Sequence, residues 1–277
     1  MSPAAVVQAV ARRAAEALGR ESGVVRWARP HYETVLEWLS RGLGVPWAIN
    51  GVTFRVDPHH RHRLGARYDA PVADFLRQHV RPGDVCLDIG ANVGVYVLQF
   101  AHWSRPTGRV VAFEPNPVAL AVLERHVRFN GLQERVQIVA AAVGASPGEA
   151  VLYAAGADGM SRLERPNPAL ADRADPVTVP VVTVDAYCAA EGVAPDWLLI
   201  DVEGFELAVL GGARKVIGNR RKPPNVVVEM HPGAWAWSNA TRAQAESLIA
   251  ELGLRAIPLT GQADPFHDHG LVRLERD

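Results

Sequence analysis

Two stretches decide the fold of this chain: Val85-Cys-Leu-Asp-Ile-Gly-Ala-Asn-Val-Gly-Val-Tyr-Val97 and Arg109-Val-Val-Ala-Phe-Glu-Pro-Asn-Pro117. Their residue types follow the order strand, glycine turn, helix, strand and acidic strand end. Asp88 ends an apolar strand, and Gly90 and Gly94 let the backbone pass close to a ligand. The free N–H groups at the start of the next helix point at the same place. The pattern therefore predicts a βαβ unit that binds a nucleoside.

Two further positions indicate which nucleoside is bound. Glu114, at the end of the second strand, can accept hydrogen bonds from both hydroxyls of a ribose. A turn that binds a nicotinamide dinucleotide usually reads G-x-G-x-x-G, and its second glycine lets the pyrophosphate lie against the backbone. Asn92 stands at that place. The pattern favours S-adenosylmethionine, which combines a ribose with an amino-acid tail, and leaves a nicotinamide cofactor as the alternative.

Two later blocks extend the pattern: Trp197-Leu-Leu-Ile-Asp-Val-Glu-Gly-Phe-Glu206 and Val226-Val-Val-Glu-Met-His-Pro232. Together with the D-I-G-A-N-x-G turn and the F-E-P-N strand end, they resemble the FkbM family of S-adenosylmethionine-dependent O-methyltransferases. The resemblance covers about Pro71 to Pro232, with the blocks in the family's order. One position departs from the family, which usually carries a lysine two residues before the aspartate of the D-V-E-G block. Leu199 stands there, so any role of that lysine is not carried over.

The resemblance implies an α/β fold of the class I methyltransferase (Rossmann-like) type, a doubly wound sheet with a helical and β-hairpin N-terminal extension. We expect the extension to occupy residues 1–68, as a lid or an oligomer contact, and the S-adenosylmethionine-dependent methyltransferase domain to occupy residues 69–277. Asn50-Gly51, between two alternating runs, is a strong hairpin signal. The residues that the resemblance assigns to the cofactor are Asp88, Gly90, Asn92, Gly94 and Glu114. Asn116 is a further candidate, either at the adenine edge or as a turn residue.

The implied reaction is transfer of the methyl group of S-adenosylmethionine to a hydroxyl of a small acceptor, such as a sugar, a glycoside or a polyketide-type natural product. An aliphatic hydroxyl is about as weak an acid as water, so a base or a metal is expected. Asp201 and His231 are the candidate bases, because both follow strands that end at the ligand-binding edge of the sheet. A structural histidine bonded to a neighbouring loop is the alternative for His231.

Asp201, Glu229 and His231 also carry the oxygen and nitrogen donors that suit magnesium or manganese. For Glu203 and Glu206 a ligand role and a stabilising role at a helix start are equally weighted. Other histidines stand among arginines and aspartates in loops, and we expect them to be solvated rather than to bind metal. They are His59, His60, His62, His267 and His269.

Five residues are candidates for binding the acceptor. Met160, Ser161 and Arg162 lie in a long loop rich in glycine, proline and charge, and Arg162 would meet an anionic or hydroxylated acceptor. Trp235 and Trp237 follow the fifth strand of the predicted sheet and would form an apolar wall. A disordered surface loop and packing against the core are the respective alternatives.

The amino-acid composition narrows the classes of protein to which this chain can belong. The 277 residues carry 29 basic and 30 acidic side chains, which leaves no excess positive charge for a nucleic-acid backbone. The two cysteines indicate a reducing compartment, and no signal sequence or membrane-spanning run is evident. We therefore expect a cytoplasmic enzyme with a small-molecule acceptor, and a homo-oligomer only through its extension.

Two other functions stay open at this point. A nicotinamide-dependent oxidoreductase could use the same βαβ unit, although the chain lacks a Tyr-x-x-x-Lys pair. A catalytically degenerate, methyltransferase-like binding protein is the other alternative, because Leu199 replaces the usual lysine.

Overall fold

A computed structural model describes residues 3–19, 22–61, 64–154, 156–157, 161–164, 172 and 174–276. The chain forms two compact units. The first combines Met1–Ala70 with Glu124–Leu132, and the second combines Pro71–Leu123 with Gln133–Asp277.

The first unit begins with two helices and a hairpin: α1 (Pro3–Leu18), α2 (Gly23–Ser40), β1 (Val45–Ile49) and β2 (Val52–Val56). Ser22 caps α2 by accepting a hydrogen bond from the Val25 N–H. β1 and β2 pair antiparallel around Asn50 and Gly51, both of which have positive φ. This is the backbone that a two-residue hairpin turn requires, and it confirms the hairpin predicted from the Asn-Gly pair.

Large apolar side chains on α1 and α2 are exposed. Trp27 and Trp38 of α2 are the most exposed, at 73% and 77%. The Trp27 ring lies 5.4 Å from the ring of His31 in the same helix, and a lid or an oligomer contact stays a prediction for this segment.

The elements that follow along the chain are α3 (Ala70–His79), β3 (Val85–Ile89), α4 (Val95–Trp103), β4 (Arg109–Phe113), α5 (Pro117–Phe129), β5 (Val136–Val139), β6 (Ala142–Val143), β7 (Gly148–Ala154), β8 (Arg162–Leu163), β9 (Asp175–Val182), α6 (Val184–Glu191), β10 (Trp197–Ile200), α7 (Glu206–Gly211), α8 (Arg214–Ile217), β11 (Asn225–Met230), a 3₁₀ helix (Pro232–Trp237), α9 (Arg242–Glu251), β12 (Leu254–Pro258) and β13 (Gly270–Arg276). A second, four-stranded sheet has the order β6-β9-β7-β8.

The central sheet of the described chain has seven strands in the order β12-β13-β11-β10-β3-β4-β5. Its five strands from β11 to β5 are parallel, and β13 lies antiparallel between β11 and β12. Parallel strands buried on both faces consist of continuous apolar runs. β10 fits this rule, because all four of its side chains are buried. The predicted doubly wound α/β sheet is confirmed.

The register of the parallel strands decides which residues meet at the sheet edge. Ile89 of β3 pairs with Phe113 of β4 on one side and with Ile200 of β10 on the other. Ile200 in turn pairs with Val228 of β11. The residues that directly follow these positions therefore emerge at one edge, where ligands bind in such sheets.

None of the described helices is long and apolar enough to cross a membrane. Both cysteines are free and buried, as expected of small apolar residues.

Candidate active site

Glu114 directly follows β4, and its carboxylate binds the backbone of the turn after β3. Its Oε2 accepts a hydrogen bond of 2.7 Å from the Asn92 N–H, and its Oε1 accepts one of 2.7 Å from the Asn116 N–H. Asn92 has φ +47°, a left-handed conformation that asparagine tolerates. The carboxylate is buried and keeps free acceptor directions, because each oxygen can accept more than one bond. Glu114 is therefore suited to bind the two hydroxyls of a ribose.

Gly90 and Gly94 have positive φ, and space is scarce at both. A Cβ on Gly90 would lie 1.7 Å from the Asp201 carbonyl oxygen, and one on Gly94 would lie 2.5 Å from Cδ1 of Leu123. A Cβ at either position would therefore meet neighbouring protein atoms, and the cofactor role of the two glycines stays a prediction. The neighbours that need the space are the chain after β10 and a side chain of α5.

Asp88 is a buried acid with an incompletely satisfied carboxylate. Its side chain is almost fully buried, and its Oδ2 has no hydrogen-bond partner. Burial and the charge of Glu114 raise its pKa to about 7, and burial raises the pKa of Glu114 to about 7 as well. Leu199 of the adjacent strand β10 pairs with Asp88 of β3, and its side chain is also buried. The position where the family usually carries a lysine thus supplies no positive charge.

Asn116 makes the hydrogen bonds of a turn residue, and a contact with the adenine edge stays a prediction. Its Oδ1 accepts a hydrogen bond from the Val118 N–H, at the start of α5. Its Nδ2 donates to the Gly156 carbonyl at 2.6 Å and to Ser161 Oγ at 3.0 Å. The side chain is 1% exposed, so these bonds use it fully. Of the two roles weighed from the sequence, the described contacts show the turn role.

Asp201, Glu203, Glu229 and His231 form a second group, which we call the histidine–carboxylate cluster. The Asp201 N–H donates to the Ile89 carbonyl at 2.9 Å, which fixes the start of the loop after β10 beside the glycine turn. His231 Nε2 lies 3.9 Å from Asp201 Oδ1 and 4.0 Å from Glu203 Oε1. The two predicted bases therefore lie together, as their strand-end positions indicated.

Two acids of this cluster have raised pKa values, because they are buried and because the acids repel one another. Burial and the charge of Glu229 raise the pKa of Asp201 well above its usual range. Burial raises the pKa of Glu203, although the positive charges of His231 and Arg162 oppose the shift. Arg162 Nη2 lies 3.4 Å from Glu203 Oε2. The cluster thus contains its own cations, and Asp201 and Glu203 are more basic than isolated carboxylates.

His231 is held from its other side by Glu206. The distance from His231 Nδ1 to Glu206 Oε1 is 2.8 Å, and Glu206 is fully buried. Burial alone would lower the pKa of His231, but this hydrogen bond and the charges of Glu206, Asp201 and Glu203 raise it to about 9. Trp235 Nε1 also donates to Glu206, through Oε2 at 2.9 Å. The expectation that Trp235 lines an acceptor wall is wrong, because its ring is buried in the core and its N–H serves Glu206.

The three predicted metal residues lie at the ends of neighbouring strands. Among the described residues, two groups of three have donor atoms within 4.8 Å of one another: Glu229, His231 and His269, and Asp201, Glu203 and His231. Their donors suit a divalent cation, but Asp201, Glu229 and His231 do not themselves form one of these groups. Magnesium or manganese stays a prediction.

His269 lies in the loop before β13 with its side chain 63% exposed, as expected of a solvated histidine, but it also contacts the cluster. Its Nε2 lies 2.8 Å from Glu229 Oε1, and its ring centroid is 4.7 Å from that of His231. The reason is the antiparallel pairing of β13 with β11, which aligns Gly270 with Met230. Sequence spacing carries no signal for this pairing, since it depends on strand order.

The remaining acceptor candidates lie beside the cluster. The Arg162 guanidinium stacks on the Trp237 ring, 4.2 Å from its centroid. Two of its nitrogens, Nε and Nη1, are buried without a hydrogen-bond partner. Ser161 is tied to Asn116, and Met160 lies outside the described residues.

Comparisons with known proteins agree on a family. A model of the methyltransferase FkbM domain matches residues 88–256. The 31-O-demethyl-FK506 methyltransferase FkbM of Streptomyces tacrolimicus is 32% identical over 188 residues, which are 57% of this chain and 70% of that protein. Catechol O-methyltransferase of Sus scrofa is 36% identical over 80 residues, which are 29% of this chain and 41% of that protein. A crystal structure of methyltransferase FkbM from Methylobacillus flagellatus KT is 16% identical with a TM-score of 0.45, and covers 73% of this chain and 50% of that one.

The strand order, the glycine turn and the carboxylate at the end of β4 define a class I, Rossmann-like methyltransferase that depends on S-adenosylmethionine. The chain belongs to the FkbM family of methyltransferases, whose domain model matches more than half of it. This membership does not support the nicotinamide-dependent oxidoreductase considered from the sequence.

Proposed function

We propose that this chain methylates a hydroxyl oxygen of a small acceptor. The observation that carries the proposal is the placement of Asp201, whose backbone N–H bonds to the end of β3 and whose carbonyl packs on Gly90. A carboxylate of raised pKa thereby stands directly beside the turn that serves the cofactor. O-methylation needs such a neighbour, because the acceptor must lose a proton as it takes the methyl group.

The residues at the turn fit S-adenosylmethionine. Glu114 offers a buried carboxylate to the ribose, and the unpartnered Oδ2 of Asp88 can accept a further donor. When bound, S-adenosylmethionine supplies a methyl group on a positively charged sulfur, which an oxygen nucleophile can accept. The positive charge also suits a cleft with two buried acids.

The acceptor hydroxyl is proposed to bind between Asp201 and His231. An oxygen about 2.8 Å from each partner atom fits the 3.9 Å span between Oδ1 and Nε2. With a pKa of about 9, His231 is an imidazolium at neutral pH, so Asp201 is the better proton acceptor. His231 then stabilises the negative charge that develops on the oxygen. A positioned base of this kind contributes about 10²- to 10⁴-fold in rate.

The acceptor class is proposed from the residues beside the cluster. The stacked pair of Arg162 and Trp237 presents a cation and an aromatic ring, which suits a hydroxylated ring with polar substituents. The relative from Streptomyces tacrolimicus is a methyltransferase whose acceptor is 31-O-demethyl-FK506. A polyketide-type product, a glycoside or a sugar is therefore the substrate class we propose.

The test is methyl transfer from labelled S-adenosylmethionine to a panel with one polyketide alcohol, one glycoside and one free sugar. We expect one labelled ether and an equal amount of S-adenosylhomocysteine. The matched control is the same acceptor with its hydroxyl already methylated, which should take no label. Tight binding of S-adenosylhomocysteine without transfer to any panel member would favour the degenerate binding protein instead.

A further inference from the structure

We infer that Glu206 is a positioning residue for the reaction, because it fixes the ring of His231 with Nε2 facing Asp201 and Glu203. The inference rests on the proposed function, in which His231 stabilises the reacting oxygen.

Both carboxylate oxygens of Glu206 lie within hydrogen-bond distance of donor groups. Oε1 accepts from the Gly204 N–H at 2.7 Å and faces His231 Nδ1 at 2.8 Å, while Oε2 accepts from Trp235 Nε1 at 2.9 Å. An indole N–H and a backbone N–H can only donate, so the group that meets them must accept at both oxygens. An ionised carboxylate satisfies this condition, and it requires the hydrogen of His231 on Nδ1.

Burial distinguishes this role from the one weighed at the helix start. An acid in the first helical turn usually stabilises the helix dipole from an exposed position, where the effect is small. Glu206 begins α7 but is 0% exposed. A carboxylate removed from water is costly unless each oxygen is bonded, and here side chains from the 3₁₀ helix and the end of β11 provide the bonds.

The backbone around Glu206 is also held in place. Gly204 has φ +108°, and a Cβ there would lie 2.7 Å from Cβ of Ala234. Ser238 Oγ donates to the Gly204 carbonyl at 2.7 Å. The loop that carries Glu206 is therefore packed on the 3₁₀ helix, which gives the carboxylate little freedom to follow a displaced histidine.

The groups that face His231 come from every neighbouring element. They are Glu206 from α7, Asp201 and Glu203 from the loop after β10, Glu229 from β11 and His269 before β13, with Arg162 of β8 behind Glu203. The contact with Glu206 is shorter than those with Asp201 and Glu203, so Glu206 has the largest share in fixing the direction of Nε2.

The test is Glu206→Gln in the full chain. Glutamine keeps the volume but sets an N–H₂ against one of the donors, so we expect kcat to fall about 100-fold or more. The affinity for S-adenosylhomocysteine should stay within about twofold, since Glu206 does not line the cofactor turn. A large fall in kcat with an almost unchanged cofactor affinity is a split that a general loss of structure would not cause.

Trp235→Phe is the matched control, because it removes the bond to Oε2 and leaves Oε1 with His231. Its kcat should fall less than that of Glu206→Gln. An unchanged kcat in Glu206→Gln, or an equal fall in both variants, would overturn the inference.

If Glu206→Gln does not fold, the inference can be tested on the unmodified protein. Nitrogen NMR of the histidine rings should show His231 with a hydrogen on Nδ1, the nitrogen that faces Glu206. A neutral ring with its hydrogen on Nε2 would overturn the inference. This readout needs no acceptor, so a failure of methyl transfer would count against the proposed function alone.

Discussion

The site around Asp88 and Glu114, which we call the cleft, and the histidine–carboxylate cluster both contain acids at the ends of parallel strands. In the cleft, the neighbours of Glu114 are backbone N–H groups, and the described residues place no cationic side chain against it. In the cluster, Arg162 and His231 face the acids with positive charge.

The difference teaches that the partner of a strand-end acid decides its use. Backbone donors hold a carboxylate in one orientation and leave its remaining acceptor directions for ligand hydroxyls. Side chains that titrate can instead exchange protons with the acid and with a substrate. We therefore expect changes in the cleft to alter affinity for the cofactor, and changes in the cluster to alter turnover.

The largest effect should come from Asp201→Asn. Asparagine keeps the shape but cannot accept the proton, so we expect turnover to fall about 10²- to 10⁴-fold with cofactor affinity nearly unchanged. Single-turnover methyl transfer and calorimetric titration with S-adenosylhomocysteine measure the two quantities. His267→Ala is the matched control, because the His267 side chain is exposed and pairs with Asp268, away from the cluster in sequence and in contacts. Equal losses of affinity and rate would erase the contrast between the two regions.

The next effect is expected from Glu114→Gln. Hydrogen bonds to a charged group contribute about 1.5–3 kcal/mol, so the affinity for S-adenosylhomocysteine should fall about 10- to 100-fold. Turnover at saturating cofactor should change far less. Calorimetric titration is the measurement, and unaltered affinity would remove Glu114 from the cofactor site.

A smaller effect should follow from pH alone. Glu114 has a folded-state pKa of about 7, above its ordinary 4.5, so its contribution to stability is present below about pH 4.5 and is lost as pH rises through about 7. Cofactor affinity should move the opposite way, because ribose hydroxyls donate to the ionised carboxylate. Urea unfolding and calorimetric titration between about pH 5 and pH 8 test both signs. In Glu114→Gln both dependences should weaken, and an affinity that falls with rising pH would contradict the assignment.

The smallest effect is expected from added divalent cations. Magnesium or manganese should bind at the acids of the cluster, near Asp201 and Glu229, and raise turnover modestly by adding positive charge beside the reacting oxygen. Manganese titration followed by electron paramagnetic resonance measures binding without any acceptor. Glu229→Gln should weaken the binding and Glu114→Gln should not. A rate that is identical with chelator and with either metal would remove the cation from the mechanism.

The sequence by itself determined the central architecture and the first set of acids. Apolar runs that end in Asp88, Glu114 and Asp201 mark buried parallel strands, and such strands share one ligand-binding edge. These signals are local, because each lies within one strand and the turn after it. The hairpin at Asn50 and Gly51 was equally readable, since the turn type depends on those two residues alone.

Only the tertiary structure decided how the side chains at that edge are paired. Glu206 and His231 are 25 residues apart, and their contact depends on how α7 packs against the end of β11. The nearness of His269 to Glu229 depends on β13 inserting beside β11. Such contacts are set by strand order and helix packing, which no local pattern encodes, and so the chemistry of the cluster emerges only once the chain is folded.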